Sequence, residues 1–157
     1  MSKCKYCGND SGWFSSSHKD CEDKFKFGIE KINTQINNFF NGSGFINNLD
    51  RAIKESIENS FLSVDESRKL LASGWEQAVE LFLEDGVLDN SEESLLSDYK
   101  NKFDLTQQEL DQKGSLTKTT RALVLRDLVN GIVPIRVNYS ENLPKNLQKK
   151  RDFDLGF

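Results

Sequence analysis

All three cysteines and the single histidine of this chain lie within its first 21 residues. They are Cys4, Cys7, His18 and Cys21, in the pattern C-x2-C-x10-H-x2-C. Three thiolates and one imidazole form a complete tetrahedral ligand set for zinc, and each short spacing places two ligands on one local structure. The sequence therefore predicts one bound Zn²⁺. Because four protein ligands close the coordination sphere, the site is expected to be structural rather than catalytic.

The residues around these ligands suit a small metal-binding fold. Gly8, directly after Cys7, permits the open backbone that turns amide groups toward thiolates. The serines at 15–17 are candidate N-caps for a helix that begins at His18. On such a helix His18 and Cys21 are three residues apart and share one face, so both side chains can reach the same ion.

Two other roles for the cysteines fit the sequence less well. A Cys4/Cys7 redox pair requires a strand before it and a helix after it, and Ser2-Lys3 does not predict a strand. A disulfide framework suits a secreted chain, but the cysteine count is odd and the N-terminus lacks a signal-peptide pattern. No apolar run approaches the roughly 18–20 residues of a membrane span. We therefore expect a soluble, cytoplasmic protein.

Apolar residues recur with helical spacing from the last cysteine onward. The first stripe predicts a helix that continues the metal-bound turn to about Phe40, followed by a turn at 41–44, where two glycines occur. A second helix is expected over about 45–59. Its expected core face is Phe45, Leu49, Ile53 and Ile57.

Capping signals divide the second half of the chain. Capping boxes at 63–66 and 106–109, and first-turn acids after Asp89, predict the starts of three helices. A last long helix is expected over about 115–130, ended by Gly131 and Pro134. Its expected apolar stripe is Leu116, Leu123, Val124 and Leu128.

These patterns predict a mostly α-helical protein. A small zinc finger over 1–27 runs into the first long helix, linking helices occupy 28–62, and a helical domain occupies 63–137. The bundle contains about five helices and at most one or two short strands. Residues 132–137 form either one such strand or an extended arm. An irregular tail is expected over 138–157.

Several short motifs occur in a recognisable order. They are Cys4-x2-Cys7-Gly8 with His18-x2-Cys21, then Gly74-Trp75-Glu76-Gln77-Ala78-Val79-Glu80, Leu83-Glu84-Asp85-Gly86-Val87-Leu88, Glu92-Glu93, Leu125-Arg126-Asp127-Leu128 and Leu143-Pro144-x-Asn146-Leu147-Gln148-Lys149. In this order they resemble a group of uncharacterised bacterial and phage-associated proteins, in which an N-terminal zinc finger joins a helical segment similar to tellurite-resistance B-like domains. The resemblance covers almost the whole chain.

The resemblance implies architecture rather than a reaction, because the group has no established activity. It implies a tellurite-resistance B-like domain over 63–137 and a role in phage–host conflict or a stress response. In that group the chain continues into a pleckstrin-homology-like β domain. This sequence stops at Phe157, so any function of that domain is expected to be absent or to come from a partner.

Charge is strongly segregated along the chain. Residues 63–111 carry 4 Lys or Arg against 13 Asp or Glu, whereas residues 112–157 carry 9 against 4. Such asymmetry steers a partner or holds the chain's own halves together. Glu76, Glu80, Glu84 and Asp85 suggest an acidic ridge, which is either a solvated helix face or a docking surface for a basic partner.

No enzyme template fits the sequence, because the only histidine is assigned to the metal and no phosphate-binding loop is present. We therefore expect a non-enzymatic adaptor with an unidentified protein partner. The alternative is a nucleic-acid-binding zinc finger, but its lysines are nearly cancelled by acids, and the tail adds only Lys145, Lys149, Lys150 and Arg151. Tyr6, Trp13 and Phe14 would stack on bases in that case; otherwise they are expected to form the core of the finger.

Overall fold

The computed structural model describes residues 2–132, and within them the protein is mostly helical, as the sequence predicts. The expected strand or arm over 132–137, apart from its first residue, and the expected tail lie outside the described residues. The elements are β1 (Ser2–Lys3), β2 (Asp10–Gly12), α1 (Lys19–Phe40), α2 (Ile46–Asn59), α3 (Val64–Phe82), α4 (Asn90–Lys102), α5 (Gln107–Leu110) and α6 (Ser115–Val129).

The chain divides into two compact units, one over 1–123 and one over 124–157. The first contains the metal ligands and the hydrophobic core, in which α1 packs against α2 and α3, and α3 packs against α4 and α5. The finer division at residues 27, 62 and 137 stays a prediction.

Glycines allow the closest approaches between these helices. A Cβ on Gly74 of α3 would lie 2.6 Å from Cγ2 of Ile36 on α1, and a Cβ on Gly28 of α1 would lie 2.6 Å from Cβ of Ser60. Both distances are shorter than van der Waals contact allows. The first helix therefore lies against its neighbours at a distance that only glycine permits.

Three helix starts are confirmed by their capping boxes. Ser63, Asp89 and Thr106 each accept a hydrogen bond from the backbone three residues later, and the glutamate at that position accepts one from the cap's backbone N–H. These bonds satisfy amide groups that the first helical turn would otherwise leave unpaired. Local sequence therefore sets where α3, α4 and α5 begin.

Two polar side chains in the core attach α4 to α3. The buried Tyr99 hydroxyl donates to the carbonyl oxygen of Leu71 at 3.0 Å, and the indole N–H of Trp75 donates to that of Leu96 at 3.2 Å. Both rings are almost completely buried. The orientation of the Trp75 ring is therefore determined by a hydrogen bond as well as by packing.

Two predicted core faces are wrong in part. Phe45 is 77% exposed and acts as the N-cap residue of α2, while Leu49 is buried and Ile53 is half-buried. In α6 the residues that face the core are small, so the predicted stripe is displaced: Leu116 and Leu123 are half-buried, whereas Val124 and Leu128 are exposed. The buried residues of α6 are Ser115, Thr119 and Ala122.

Two local expectations near the N-terminus are also wrong. Ser2 and Lys3 do form a short strand, which pairs antiparallel with Asp10–Gly12. The serines at 15–17 do not cap the first helix: its N-cap is His18, which makes no side-chain capping bond. The hydroxyl of Ser17 instead donates to the Glu22 carboxylate on the first turn of α1.

Candidate metal centre

The four predicted ligands converge on one point in the structure. One ligand atom from each of Cys4, Cys7, His18 and Cys21 lies within 4.8 Å of the other three. Sγ of Cys7 is 3.4 Å from Nδ1 of His18, and Sγ of Cys21 is 3.8 Å from the same nitrogen. None of the three thiols forms a disulfide.

The two S···N distances fit a metal ion with tetrahedral coordination. A Zn–S bond of about 2.3 Å and a Zn–N bond of about 2.0 Å at the tetrahedral angle place sulfur and nitrogen roughly 3.5 Å apart. The two observed S···N distances lie on either side of that value. The group can therefore bind one metal ion.

The hairpin between β1 and β2 presents the first two thiols. The backbone N–H of Cys4 donates to the carbonyl of Asn9 at 2.8 Å, and that of Gly8 donates to the carbonyl of Cys4 at 2.9 Å. Gly8 has a φ of +74°, which confirms the open backbone expected after Cys7. The turn is thus closed by backbone hydrogen bonds that bring both sulfurs to one side.

The thiols differ in how easily they ionise. Burial opposes ionisation of Cys4, but hydrogen bonds from backbone N–H groups, among them those of Cys7 and His18, outweigh it and lower its pKa to about 6. Burial and the neighbouring thiols raise the pKa of Cys21 to about 11. A cation is therefore needed to hold Cys21 as a thiolate at neutral pH.

His18 is oriented by a hydrogen bond on the side of the ring away from the cysteines. Its Nε2 lies 2.9 Å from the carbonyl oxygen of Asp10, which can only accept, so Nε2 carries the proton. The same carbonyl raises the pKa of His18. Nδ1 is left with a lone pair directed at the thiols, the arrangement expected of a metal-binding histidine.

A short loop, residues 13–17, joins β2 to His18 and is tied to the hairpin. The Ser2 hydroxyl lies 2.6 Å from the carbonyl oxygens of both Gly12 and Ser15. The backbone N–H of Lys5 donates to the carbonyl of Ser16 at 2.9 Å. Gly12, with a φ of +93°, turns the chain into the loop. The loop is therefore attached to the metal-binding hairpin at several points.

Two aromatic side chains project from this loop. Trp13 is 79% exposed and Phe14 is fully exposed, so the expectation that they form the core of the finger is wrong. Tyr6 does pack, but on the helical bundle rather than in a core of the finger: its ring centroid lies 5.1 Å from that of Phe25 on α1 and 6.1 Å from that of Phe61. The finger is packed against the helical bundle through Tyr6, and this leaves the other two rings in solvent.

The acidic ridge is not one surface. Glu76 is only 5% exposed, and its carboxylate accepts from the backbone N–H of Lys113 at 3.2 Å and lies 3.4 Å from the same residue's Nζ. The prediction that Glu76 lies on a solvent-exposed acidic ridge is therefore wrong. Glu80, Glu84 and Asp85 are exposed, and their role in partner binding stays a prediction.

The segregated charges are partly paired within the first unit. Glu76 and Glu80 of α3 pair with Lys113 and Lys118, the latter with Nζ and Oε1 4.0 Å apart. Both pairs join the acidic segment to the basic one, as expected if the asymmetry holds the chain's own halves together. The basic residues proposed for the tail lie outside the described residues.

Two features of the site were not expected from the sequence. The acceptor for His18 is a backbone carbonyl, which carries no residue-type signal. The hydrogen bonds of the Ser2 and Ser11 hydroxyls across the hairpin also carry no sequence signal, because serine is equally common at polar surface positions that make no such bond.

Comparison of the chain with protein-family models, with curated protein sequences and with solved structures gives no match. The resemblance to zinc-finger proteins with a tellurite-resistance B-like domain therefore rests on the motifs quoted above and stays an expectation. Among the described residues, no helix is long and apolar enough to cross a membrane.

Proposed function

We propose that this chain is a non-enzymatic, zinc-stabilised protein-interaction module, an adaptor whose N-terminal metal centre presents a recognition loop. Zinc is the metal of choice because three thiolates and an imidazole in a tetrahedron suit its borderline-soft character. All four positions are supplied by the protein, which leaves none open for a substrate. The metal then acts by holding the hairpin, the loop and the start of α1 together.

The observation that carries this proposal is the exposure of Trp13 and Phe14 on a loop whose backbone is tied down. Large aromatic side chains on ordered backbone are typical of residues that contribute most to binding energy in protein interfaces. An ordered loop also loses little conformational entropy when a partner binds. A solvent-exposed tryptophan beside an exposed phenylalanine would otherwise be an aggregation hazard.

Affinity capture of the zinc-loaded chain from its native lysate, with nuclease added, tests the proposal. A protein recovered with the wild type should be lost with the double variant Trp13→Ser/Phe14→Ser. It should be retained with Phe45→Ser, which removes an equally exposed aromatic ring elsewhere in the same unit. Equal recovery with all three proteins would show that the loop is not the contact surface.

Nucleic-acid binding is the second candidate, because exposed aromatic rings also stack on unpaired bases. The surrounding charge favours it less: residues 11–18 contain no lysine or arginine to contact phosphates, and Lys5, whose backbone N–H bonds Ser16 of the loop, interacts with the acid Glu22. A Trp75→Phe variant makes Trp13 the only tryptophan and hence the only indole fluorophore. Quenching of its fluorescence by oligo(dT), with a dependence on salt, would favour this second function.

Exposed acids offer a further contact for a basic partner. Glu84 and Asp85 lie in the turn after α3, where Asp85 accepts the backbone N–H of Val87 at 2.9 Å. Replacing Glu84 by lysine and Asp85 by asparagine, which keeps that acceptor, should therefore leave the fold intact. Loss of the captured protein in this variant would assign the acidic turn to the interface, and retention would remove it. The placement in phage–host conflict or a stress response is part of this proposal and rests on the resemblance alone.

A further inference from the structure

One residue between α2 and α3 has a backbone conformation that its side chain does not favour. Phe61 has a φ of +59°, in the left-handed region that glycine enters freely and that is unfavourable for bulky residues. Its neighbours explain this conformation, because Ser60 and Leu62 are both buried and both lie close to Gly28 on α1. With these two residues held against α1, Phe61 between them turns its ring toward the finger.

The Phe61 ring packs on the metal-binding hairpin. Its centroid lies 6.1 Å from that of Tyr6, which in turn lies 5.1 Å from that of Phe25 on α1. Both separations lie in the range in which aromatic rings attract each other. Tyr6 stands between Cys4 and Cys7 in the sequence, so a metal that holds these two ligands also fixes the position of its ring. The three rings, here called the aromatic joint, therefore link the metal site to the turn between α2 and α3.

The finger has little packing of its own that would hold Tyr6 in place without a metal. Within residues 2–18 only Cys4 is buried. Trp13 and Phe14 are exposed, and the cysteines form no disulfide. In small sites of this kind the metal supplies folding free energy, because the ligands do not converge without it. The position of Tyr6 therefore depends on whether the site is loaded.

We infer that the aromatic joint couples the metal site to the helical bundle. When metal is bound, the hairpin holds Tyr6 against Phe61, and this contact offsets part of the free-energy cost of the left-handed backbone. When metal is absent, the contact is lost and the turn between α2 and α3 becomes less stable. The bundle thereby responds to the loading of the finger. The inference rests on the zinc of the proposed function and not on its recognition loop.

A second route from the metal to the bundle runs along α1. Cys21 lies in the first turn of this helix, and Phe40 at its other end is buried in the core. That route does not involve Phe61. If the aromatic joint carries the coupling, reciprocity requires that a change at Phe61 also alters the affinity for the metal. A residue that only shapes the turn between two helices would leave that affinity unchanged.

Phe61→Gly is the variant that separates these two roles. It removes the ring that contacts Tyr6, while glycine adopts the left-handed backbone more readily than phenylalanine, so the turn itself should not be weakened. Competition with a chelator should nevertheless show that zinc affinity falls by about 3- to 10-fold. Phe61→Tyr keeps the ring and should bind zinc like the wild type. Phe45→Ser, which removes an exposed ring at the opposite end of α2, should also bind zinc like the wild type.

Urea unfolding of the bundle gives the reciprocal measurement. Trp13→Phe leaves Trp75, which is buried in α3, as the only tryptophan, so its fluorescence reports on the bundle. Zinc should raise the urea midpoint of this protein above the value measured with a chelator. Adding Phe61→Gly should reduce that rise by about 0.5 M.

Two results would overturn the inference: wild-type zinc affinity in Phe61→Gly, or an equal rise of the urea midpoint with and without the Phe61 ring. In either case α1 alone would connect the metal to the bundle. Neither measurement involves a partner, so the proposed function is judged separately. Lysate capture that depends on Trp13 and Phe14 in the absence of coupling would reject the inference alone, whereas coupling without such capture would reject the recognition loop alone.

Discussion

Removal of the Glu76 carboxylate tests whether this residue belongs to the folded core or to the protein surface. Glu76 and Glu80 lie four residues apart on α3, and sequence alone makes them equivalent members of an acidic face. In the structure Glu76 is 5% exposed and accepts the backbone N–H of Lys113, whereas the side chain of Glu80 is 57% exposed and lies 4.0 Å from Lys118. The same substitution, Glu→Ala, should therefore have different effects at the two positions.

The magnitude follows from what each carboxylate contacts. A hydrogen bond to a charged group contributes about 1.5–3 kcal/mol. The ion pair of Glu76 with the largely exposed Lys113 side chain adds at most about 1 kcal/mol. We expect Glu76→Ala to lower the free energy of unfolding by about 2–3 kcal/mol and Glu80→Ala by less than about 0.5 kcal/mol. Any gain in helix propensity is shared by both variants and cancels in the comparison.

Urea unfolding at neutral pH with the metal bound, followed by far-UV circular dichroism, measures this difference. With a urea dependence of about 1–3 kcal/mol per molar for a small protein, the midpoint of Glu76→Ala should fall by about 1–2 M relative to the wild type. The midpoint of Glu80→Ala should stay close to that of the wild type. Equal midpoints for the two variants would refute the assignment of Glu76 to the core and would support a solvent-exposed acidic face that includes both glutamates.

Three further outcomes are expected. Cys21→Ser should lose the single metal ion, measured by mass spectrometry, and should speed amide exchange in the first turns of α1; unchanged metal content would contradict the ligand assignment. Gly74→Ala should cost about 1–3 kcal/mol in urea unfolding because its Cβ would meet α1, while Gln77→Ala on the exposed side of α3 should be close to neutral. Hydrogen bonds from the Arg68 side chain and from Thr106, the N-cap of α5, lower the pKa of Glu109 to about 2. The ionised Glu109 carboxylate therefore stabilises the fold fully above its ordinary pKa of about 4.5, and this contribution is lost as the pH falls through about 2. Glu109→Gln should therefore flatten the dependence of the free energy of unfolding on pH between these limits. Acid-induced loss of the metal affects the wild type and the variant alike. Parallel pH profiles for the two would argue against a stabilising Arg68–Glu109 ion pair.

The ligands and the helix starts could be predicted because their signals are local. Cys4, Cys7, His18 and Cys21 are all the cysteine and histidine residues of the chain, and a closed tetrahedron uses all of them. A capping box is completed within four residues, so Ser63–Glu66 contains all the atoms that determine where α3 begins. Such features need no knowledge of what lies across the fold.

The burial of individual side chains depended on residues distant in sequence. Glu76 is buried because Lys113, 37 residues later, folds back over it, and no local pattern distinguishes it from Glu80. In α6 the apolar residues suggested a core face that is wrong in part: Leu116 and Leu123 pack against the core, but small side chains such as Ser115 and Ala122 take the fully buried positions. Hydrophobic periodicity identifies a helix well, but steric fit against its neighbours decides which face is buried.

The sequence by itself therefore determined the composition of the metal site, the mostly helical class and the positions of the turns and caps, since short-range chemistry controls each of them. Only the tertiary structure decided that Tyr6 packs against Phe25 and Phe61 while Trp13 and Phe14 remain in solvent. The physical reason is that a side chain's exposure is set by which segments pack over it, and that packing involves contacts between residues far apart in the chain.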